Sequence, residues 1–304
     1  MAEEYISGTL KEIAIGLAKK QEHMVNTLLE DTQILDLLRF EPASHGMWNA
    51  YEEVTHIGNV ATVDMNAPLP KATVDSELKK VDLQITGAEL EAGEDTIVAI
   101  GKDEYFGKKI PLILKQAGMQ TEKNIIYNNI RQFAIDKGKV EDAGGTGTGF
   151  SMIAFREIPG ENIGLYNARG LGSKTLLDIK AINDGALYKN EKGVLVYGMR
   201  LKGYLGYQLA NKDGVAAIVN IDKNHLPTEE MIDDMILSAR ADTGSRAFIM
   251  CHPRMLSFLN KYKASVLQTN VTDRDYNRTF DTWNKVKIFT SYNFEDGTEP
   301  HVTL

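Results

Sequence analysis

Residues 141–150 read EDAGGTGTGF, with four glycines inside six positions: Gly144, Gly145, Gly147 and Gly149. A run this rich in glycine suits one of two tasks. Its backbone N–H groups can cradle a phosphate, or it can supply a bend that the architecture needs. A Walker A loop requires a Gly-Lys-Ser/Thr triplet opening a helix, so that the lysine meets the β- and γ-phosphates. This run has no lysine and leads into a strand pattern, SMIAFRE. It reads better as a flexible junction between two subdomains. A second segment, NARGLGSKTLL, carries Gly170, Gly172, Lys174 and Thr175, but Ser173 separates glycine from lysine. It reads as a loop and a short helix start, in which Arg169 or Lys174 can touch an anion.

The remaining reactive side chains form no constellation. Cys251 is the only cysteine and stands beside His252. Neighbours on a strand face opposite sides, so the two cannot pair as nucleophile and base, and Cys251 reads as a buried structural thiol. The histidines at 23, 45, 56, 225, 252 and 301 are never spaced as ligand pairs, and no Glu-x-x-His lies on a helix. A metal centre is therefore not expected. The pairs Glu52-Glu53, Glu229-Glu230 and Asp233-Asp234 read as solvated faces. Lys79-Lys80 and Lys108-Lys109 are too short, and too poor in interleaved aromatics, for a nucleic-acid site. The chain is read as no enzyme, with no cofactor.

The elements that carry these residues are those of an α+β protein. The 304 residues are 43% hydrophobic and 25% charged, enough to bury a sizeable core. The net charge of −8 argues against a protein whose main task is to grip nucleic acid. A single cysteine allows no intrachain disulfide and suits a reducing compartment. The opening MAEEYISGTLKEIAIGLAKK lacks a basic-then-apolar signal pattern, and no apolar run approaches the roughly 20 residues of a membrane span. The expected setting is the cytoplasm, or an object assembled there.

Residues 3–38 have helical spacing (Leu10, Ile13, Leu17, Met24, Leu28, Leu35, Leu38) but no obvious core of their own, and read as an arm lying on something else. Residues 43–86 lean towards β, with Pro68 and Pro70 between two strand patterns, and read as a long polar hairpin. Residues 87–136 read as helix, with Pro111 starting or kinking it and Gly118 permitting a second break. After the glycine run come the strands SMIAFRE, GALYKN, GVLVYGMRLKGYLGYQLA and GVAAIVNID. A helix N-capped by Thr228 follows, then the strand RAFIMC, a helix opened by Pro253, and a β-like end. There is no internal repeat.

The block from EDAGGTGTGFSMIAFREIPGENIGLYNARGLGSKTLLDI through VLVYGMRLKGYLGYQLANKDGVAAIVNID resembles the major capsid proteins of tailed bacteriophages. The elements that carry the resemblance are Asp142 to Gly147, Ser151 to Phe155, Gly172 to Lys174, Tyr204 to Tyr207, Asn211 to Gly214, and Asn220 to Asp222. The resemblance implies a Hong Kong 97-type fold: an N-terminal arm over residues 1–42, an E-loop hairpin over 43–86, a P domain with its spine helix over 87–149, and an A domain with the remaining P-domain strands over 150–304. It implies a subunit that forms hexamers and pentamers of an icosahedral head around double-stranded DNA, assembled in the host bacterial cytoplasm and residing in the virion. No segment reads as a built-in scaffold, so a separate scaffolding protein is expected, with portal and head-decoration proteins as further partners. DNA would be contacted non-specifically on an inner face less acidic than the outer, and no membrane is involved. The residues marked for assembly or conformational change are Trp48, Pro68, Pro70 and Lys71 in the hairpin, Pro111 and Gly118 in the spine helix, Gly144, Gly145, Gly147 and Gly149 at the junction, and Arg169 and Lys174 in the loop. No lysine–asparagine cross-link is expected at Lys71, because no catalytic acid can be named. The alternatives are another virion component, such as a tail-tube or head-completion protein, or a nucleotide enzyme using the 142–149 loop.

Overall fold

The computed structural model describes residues 7–17, 19–58, 60–65, 68–167, 176–241, 246–259 and 282–304. Strand β1 (Gly8–Thr9) leads into helices α1 (Leu10–Leu17), α2 (Lys19–Leu29) and α3 (Gln33–Leu37), followed by strand β2 (Arg39–Pro42). Thr9 and Glu12 form a reciprocal cap at the start of α1: the Glu12 carboxylate accepts the Thr9 N–H at 2.8 Å, and the Thr9 hydroxyl accepts the Glu12 N–H at 3.4 Å. Leu10, Ile13, Val25, Ile34, Leu35 and Leu38 are completely buried in the largest apolar cluster of the molecule. The surface that the sequence reading leaves unspecified for this stretch is thus the chain's own long helix. The apolar stripe is core, because an amphipathic helix must cover that stripe and the covering surface lies in the same chain.

The hairpin follows. Among the described residues, strands β3 (Trp48–Ile57) and β4 (Val74–Asp82) pair only with each other, as a two-stranded sheet. Pro68, Pro70 and Lys71 lie in the exposed connection between them, outside any strand. Strand β5 (Gln84–Gly93) occupies residues assigned above to the hairpin's end and the helix's start. It runs antiparallel to a 15-residue strand, Leu195–Leu209, from Gln84 opposite Leu205 to Gly93 opposite Val196. Local pattern did not show this partner. At Gly87 the two backbones are so close that a Cβ would overlap the Leu201 carbonyl.

Helix α4 (Glu94–Ile100) ends at Gly101, whose φ of +94° turns the chain into α5 (Lys102–Asn124). The rod continues as a π-helix over Ile125–Arg131 and as α6 (Gln132–Asp136). The helix runs on through both Pro111 and Gly118, so Pro111 does not start it and Gly118 does not interrupt it. Proline removes one backbone bond, and the carbonyl it orphans, that of Gly107, is on the exposed side where water serves. Gly118 is fully enclosed: a Cβ there would overlap the Leu28 backbone oxygen of α2. Its role is to let two helices cross closely. Gly118→Ala is expected to destabilise the fold by about 3 kcal/mol from overpacking, less roughly 1 kcal/mol regained in helix propensity. A thermal melt checks this, and an unchanged or raised midpoint would contradict the crossing.

The body contains β6 (Val140–Asp142), β7 (Phe150–Arg156), β8 (Asn162–Tyr166), β9 (Leu177–Ala181), β10 (Tyr188–Lys189), β11 (Leu195–Leu209), β12 (Val215–Ile221), α7 (Glu229–Ser238), β13 (Ala247–Cys251), a helix over 253–259, β14 (Thr282–Trp283) and β15 (Val286–Thr290). Thr228 caps α7 as the sequence predicts, its hydroxyl accepting the Met231 N–H at 3.2 Å. One sheet has the order β1-β2-β8-β11-β10, with β5 and β9 also on β11; the other has the order β14-β15-β13-β7-β12-β6. The main core lies between the N-terminal helices, α5 and both sheets, and a second core lies between the second sheet, α7 and the 253–259 helix.

Candidate functional site

The glycine run is built into the second sheet. Strand β12 carries an irregularity between Ile218 and Ile221, where Asn220 takes a left-handed φ of +57°. Asparagine tolerates that conformation better than most residues. The run docks on this irregularity. Ala143 N–H donates to the Val219 carbonyl and Gly145 N–H to the Asn220 carbonyl, each at 3.0 Å. Gly149 and Glu299 exchange backbone bonds at 3.0 and 3.2 Å. A Cβ at Gly145 would overlap the Asn220 carbonyl, and one at Gly149 would crowd that of Ile221. Gly144 has φ +90°, whereas Gly147 faces open space. Three of the four glycines are therefore dictated by fit, and the N–H groups a phosphate would need at 144, 145 and 149 are already bonded within the chain.

The two halves of the DAGG…NID pattern, far apart in sequence, are one structure here. Asp142 Oδ1 accepts the Gly144 N–H at 2.8 Å and the Asn220 amide at 2.9 Å. Asn220 also exchanges bonds of 2.8 Å with the Val302 backbone, tying in the C-terminal segment. The Gly144 N–H, then the Asn220 amide, hold the Asp142 carboxyl below the usual aspartate range. Asp222 is lowered chiefly by the His225 ring, whose Nδ1 lies 3.0 Å away. A depressed carboxyl stabilises the fold above its unfolded pKa, and that contribution is lost as pH falls through its folded value. Asp142→Asn keeps an acceptor and removes the titration. It is expected to melt below the wild type at pH 7, with the gap closing below about pH 4. A gap that is constant with pH would show that the charge does not matter.

The hairpin is pinned at its root by a small core, with a longer contact to the body at Glu53. Ala43, Leu83, Leu165 and Tyr204 form a small core there, with Val81 against it. The Asn49 amide donates to Gln208 Oε1 at 2.6 Å. Trp48 stacks on His45 at 3.7 Å with the rings parallel, and the Lys80 ammonium sits 5.4 Å from its centroid. Trp48 is therefore a root residue. Further out, Glu53 pairs with Lys79 and reaches Lys137, past the end of α6, at 3.9 Å. The sequence reads this hairpin as poor in apolar residues, yet it exposes Val54, Val60, Met65, Leu69, Val74 and Leu78, with Met65 at 93% and Val60 at 86%.

Four acids are buried among the described residues, Glu122, Glu157, Asp178 and Glu299, and the sequence reading marks none of them. Glu122 of α5 is completely buried. It accepts the Leu35 N–H at 2.8 Å, the Asn293 amide at 2.9 Å and the Ser291 hydroxyl, so it joins α3, the long helix and the C-terminal segment. Burial raises its carboxyl above the ordinary range, and the three donors pull it partly back. Its signal was present, since Gly118, Glu122, Ile125 and Ile126 share one buried helical row and an acid in such a row needs donors. Glu299 accepts the Tyr127 hydroxyl at 2.7 Å and pairs with Arg131 at 2.9 Å. It lies in irregular chain, where no periodicity marks it. Cys251 is buried, as expected, and burial alone pushes its thiol up to about 12. Arg169 and Lys174 lie outside the described residues. Among the described residues, no group of three or more His, Cys, Asp or Glu is placed to hold a metal, and no helix is long and apolar enough to cross a membrane.

Two core-sharing sheets, a long helix and a solitary projecting hairpin match a known architecture. The near-atomic cryo-EM structure of bacteriophage epsilon15 superposes with a TM-score of 0.59 at 14% identity, over 84% of this chain and 85% of that one. The fold is the Hong Kong 97-type fold of tailed-phage capsids. Weaker likenesses are to the bacteriophage JBD30 capsid (TM-score 0.47, 10% identity, 84% of this chain and 88% of that one) and to the SrpI encapsulin of Synechococcus elongatus (TM-score 0.44, 11% identity, 63% and 88%). No family profile matches the sequence. No curated protein matches it either. The Hong Kong 97-type fold that the 142–222 block implies is thus borne out by three-dimensional likeness, at an overall identity of 14%.

Proposed function

We propose that this chain is the shell subunit of a tailed-phage head, assembling into hexamers and pentamers that enclose double-stranded DNA. The observation that carries the reading is the hairpin: anchored at its root, paired with no other strand among the described residues, and tipped with exposed apolar side chains on a Hong Kong 97-type body. A two-stranded ribbon of this kind is marginal alone in water, and a neighbouring copy supplies the surface it lacks. In this reading residues 43–82 are the E-loop, the rod 102–136 is the spine helix of the P domain, and the N-terminal helices are an arm docked on that helix. Closed point-group symmetry multiplies each contact around the shell. Scaffolding, portal and decoration proteins are the further partners this reading implies, and the virion is its location. A nucleotide-binding role is disfavoured by the occupied N–H groups of the glycine run.

Electron microscopy of the purified protein, or of particles from a lysate, is the direct test. Closed icosahedral shells are expected. A chain that stays monomeric in every assembly condition, with its scaffold present, would sink the proposal, and rings or tubes would favour a different virion component.

A further inference from the structure

The exposed row of the long helix from Gln116 to Gln132 carries amides only, and charged side chains return at its two ends, Lys108 and Lys109 before it and Asp136 after it. Gln116, Gln120, Asn124, Asn128 and Gln132 follow one another four residues apart, Asn124 half-buried and the others exposed. A row of i, i+4 positions drifts around an α-helix, because 3.6 residues make a turn. Here the helix passes into the π segment at Ile125–Arg131. Its i→i+5 bonds wind the chain more loosely and take up that drift. The row stays continuous: the Asn128 amide donates to Asn124 Oδ1, and the Gln132 amide to Asp136 at 2.8 Å.

The cations beside the row are consumed within the chain. Lys115 pairs with Asp31 at 2.5 Å, Lys123 with Glu295, and Arg131 with Glu299 at 2.9 Å. Glu122, the only acid between Leu112 and Asp136, is buried. A solvent-facing ridge in a chain that is 25% charged would ordinarily carry lysines and glutamates. Elsewhere the acid is dense: α7 bears Glu229, Glu230, Asp233 and Asp234, close enough to Glu141 for Asp234 and Glu230 to add to the effect of burial in raising its carboxyl.

We propose that this amide ridge is the wall that faces packaged double-stranded DNA, an inference that rests on the shell reading above. The charge pattern selects this occupant. A carboxylate facing a polyanion repels it. Each free lysine neutralises a phosphate and releases a counterion, holding the DNA with a salt dependence of about −0.9 in log–log slope per contact. Side-chain amides hydrogen-bond phosphate oxygens and add no net charge. DNA can then be packed to high density against the wall and still slide along it.

Cysteine accessibility tests this on the full chain. Native Cys251 is completely buried and gives a silent background. Gln116→Cys and Gln120→Cys are reacted with N-ethylmaleimide, and separately with a maleimide carrying a polyethylene glycol chain too bulky for the pores between capsomers. In closed shells the small reagent is expected to label both positions and the bulky one neither, while both reagents label dissociated capsomers. Labelling of closed shells by the bulky reagent would place the ridge outside and overturn the proposal. Labelling of closed shells by neither reagent would show that a second copy covers the ridge, which also overturns it. In DNA-filled particles a diazirine carried on the same cysteines is expected to cross-link to DNA, and cross-links to protein alone would again overturn it. Micrographs of the same samples show whether closed shells exist at all, so failure of the shell reading is seen separately.

Discussion

A chain lacking residues 1–38 will not fold. Removing that stretch strips Leu10, Ile13, Ala14, Val25, Leu28, Leu29, Ile34, Leu35 and Leu38 from the largest core. Each fully buried aliphatic side chain contributes about 2 kcal/mol. The sum reaches roughly the whole net stability of a domain, 5–15 kcal/mol, even after discounting a compact unfolded state. The deletion also exposes the α5 face and takes the Leu35 N–H from Glu122. Circular dichroism and a thermal melt of the truncated chain are the measurement, and a cooperative melt like that of the full chain would refute the claim. Glu122→Ala makes the same point with one residue. It leaves the Leu35 N–H, the Ser291 hydroxyl and the Asn293 amide without their acceptor, at about 1–3 kcal/mol for each group left unpaired.

The second large effect separates folding from assembly. Replacing residues 60–71 with a short turn, or Leu69 and Leu78 with serine, should leave the monomer's melting midpoint unchanged. The described residues among them touch none of the four apolar cores, and Leu69 and Leu78 are each 76% exposed. Assembly should fail. If a neighbour buries the two leucines, their loss removes about 4 kcal/mol per subunit contact, or roughly a thousandfold in affinity, repeated at each contact around a shell. Light scattering and electron microscopy against the wild type check both halves. Normal shells from the double-serine variant would mean that the hairpin is not a contact. A lowered melting midpoint would mean that it belongs to the core.

Most features read correctly in advance were local. The Thr228 cap, the buried Cys251 and the two-strand-and-proline pattern of the hairpin each depend on residues a few positions apart. Periodicity of 3.6 or 2 carries such information wherever one face is buried. The errors share a different cause. Residues 84–93 became a strand because β11, more than a hundred residues later, offers its edge. Gly118 proved to be a crossing point because Leu28 passes there, and no spacing within α5 encodes that. Glu122 was overlooked because its three donors come from both ends of the chain.

The sequence by itself determined the α+β class, the projecting hairpin, the long helix and the placement of a glycine run before the body's strands, since each follows from local pattern and backbone chemistry. Only the tertiary structure decided that the N-terminal helices are core and that Gly145 and Gly149 are glycines because β12 lies against them. It also decided that Asp142 and Asn220 form one joint closed by the C-terminal segment at Val302. The physical reason is the same in each case. Burial and close approach are properties of two surfaces meeting, and the sequence around one surface does not contain the other.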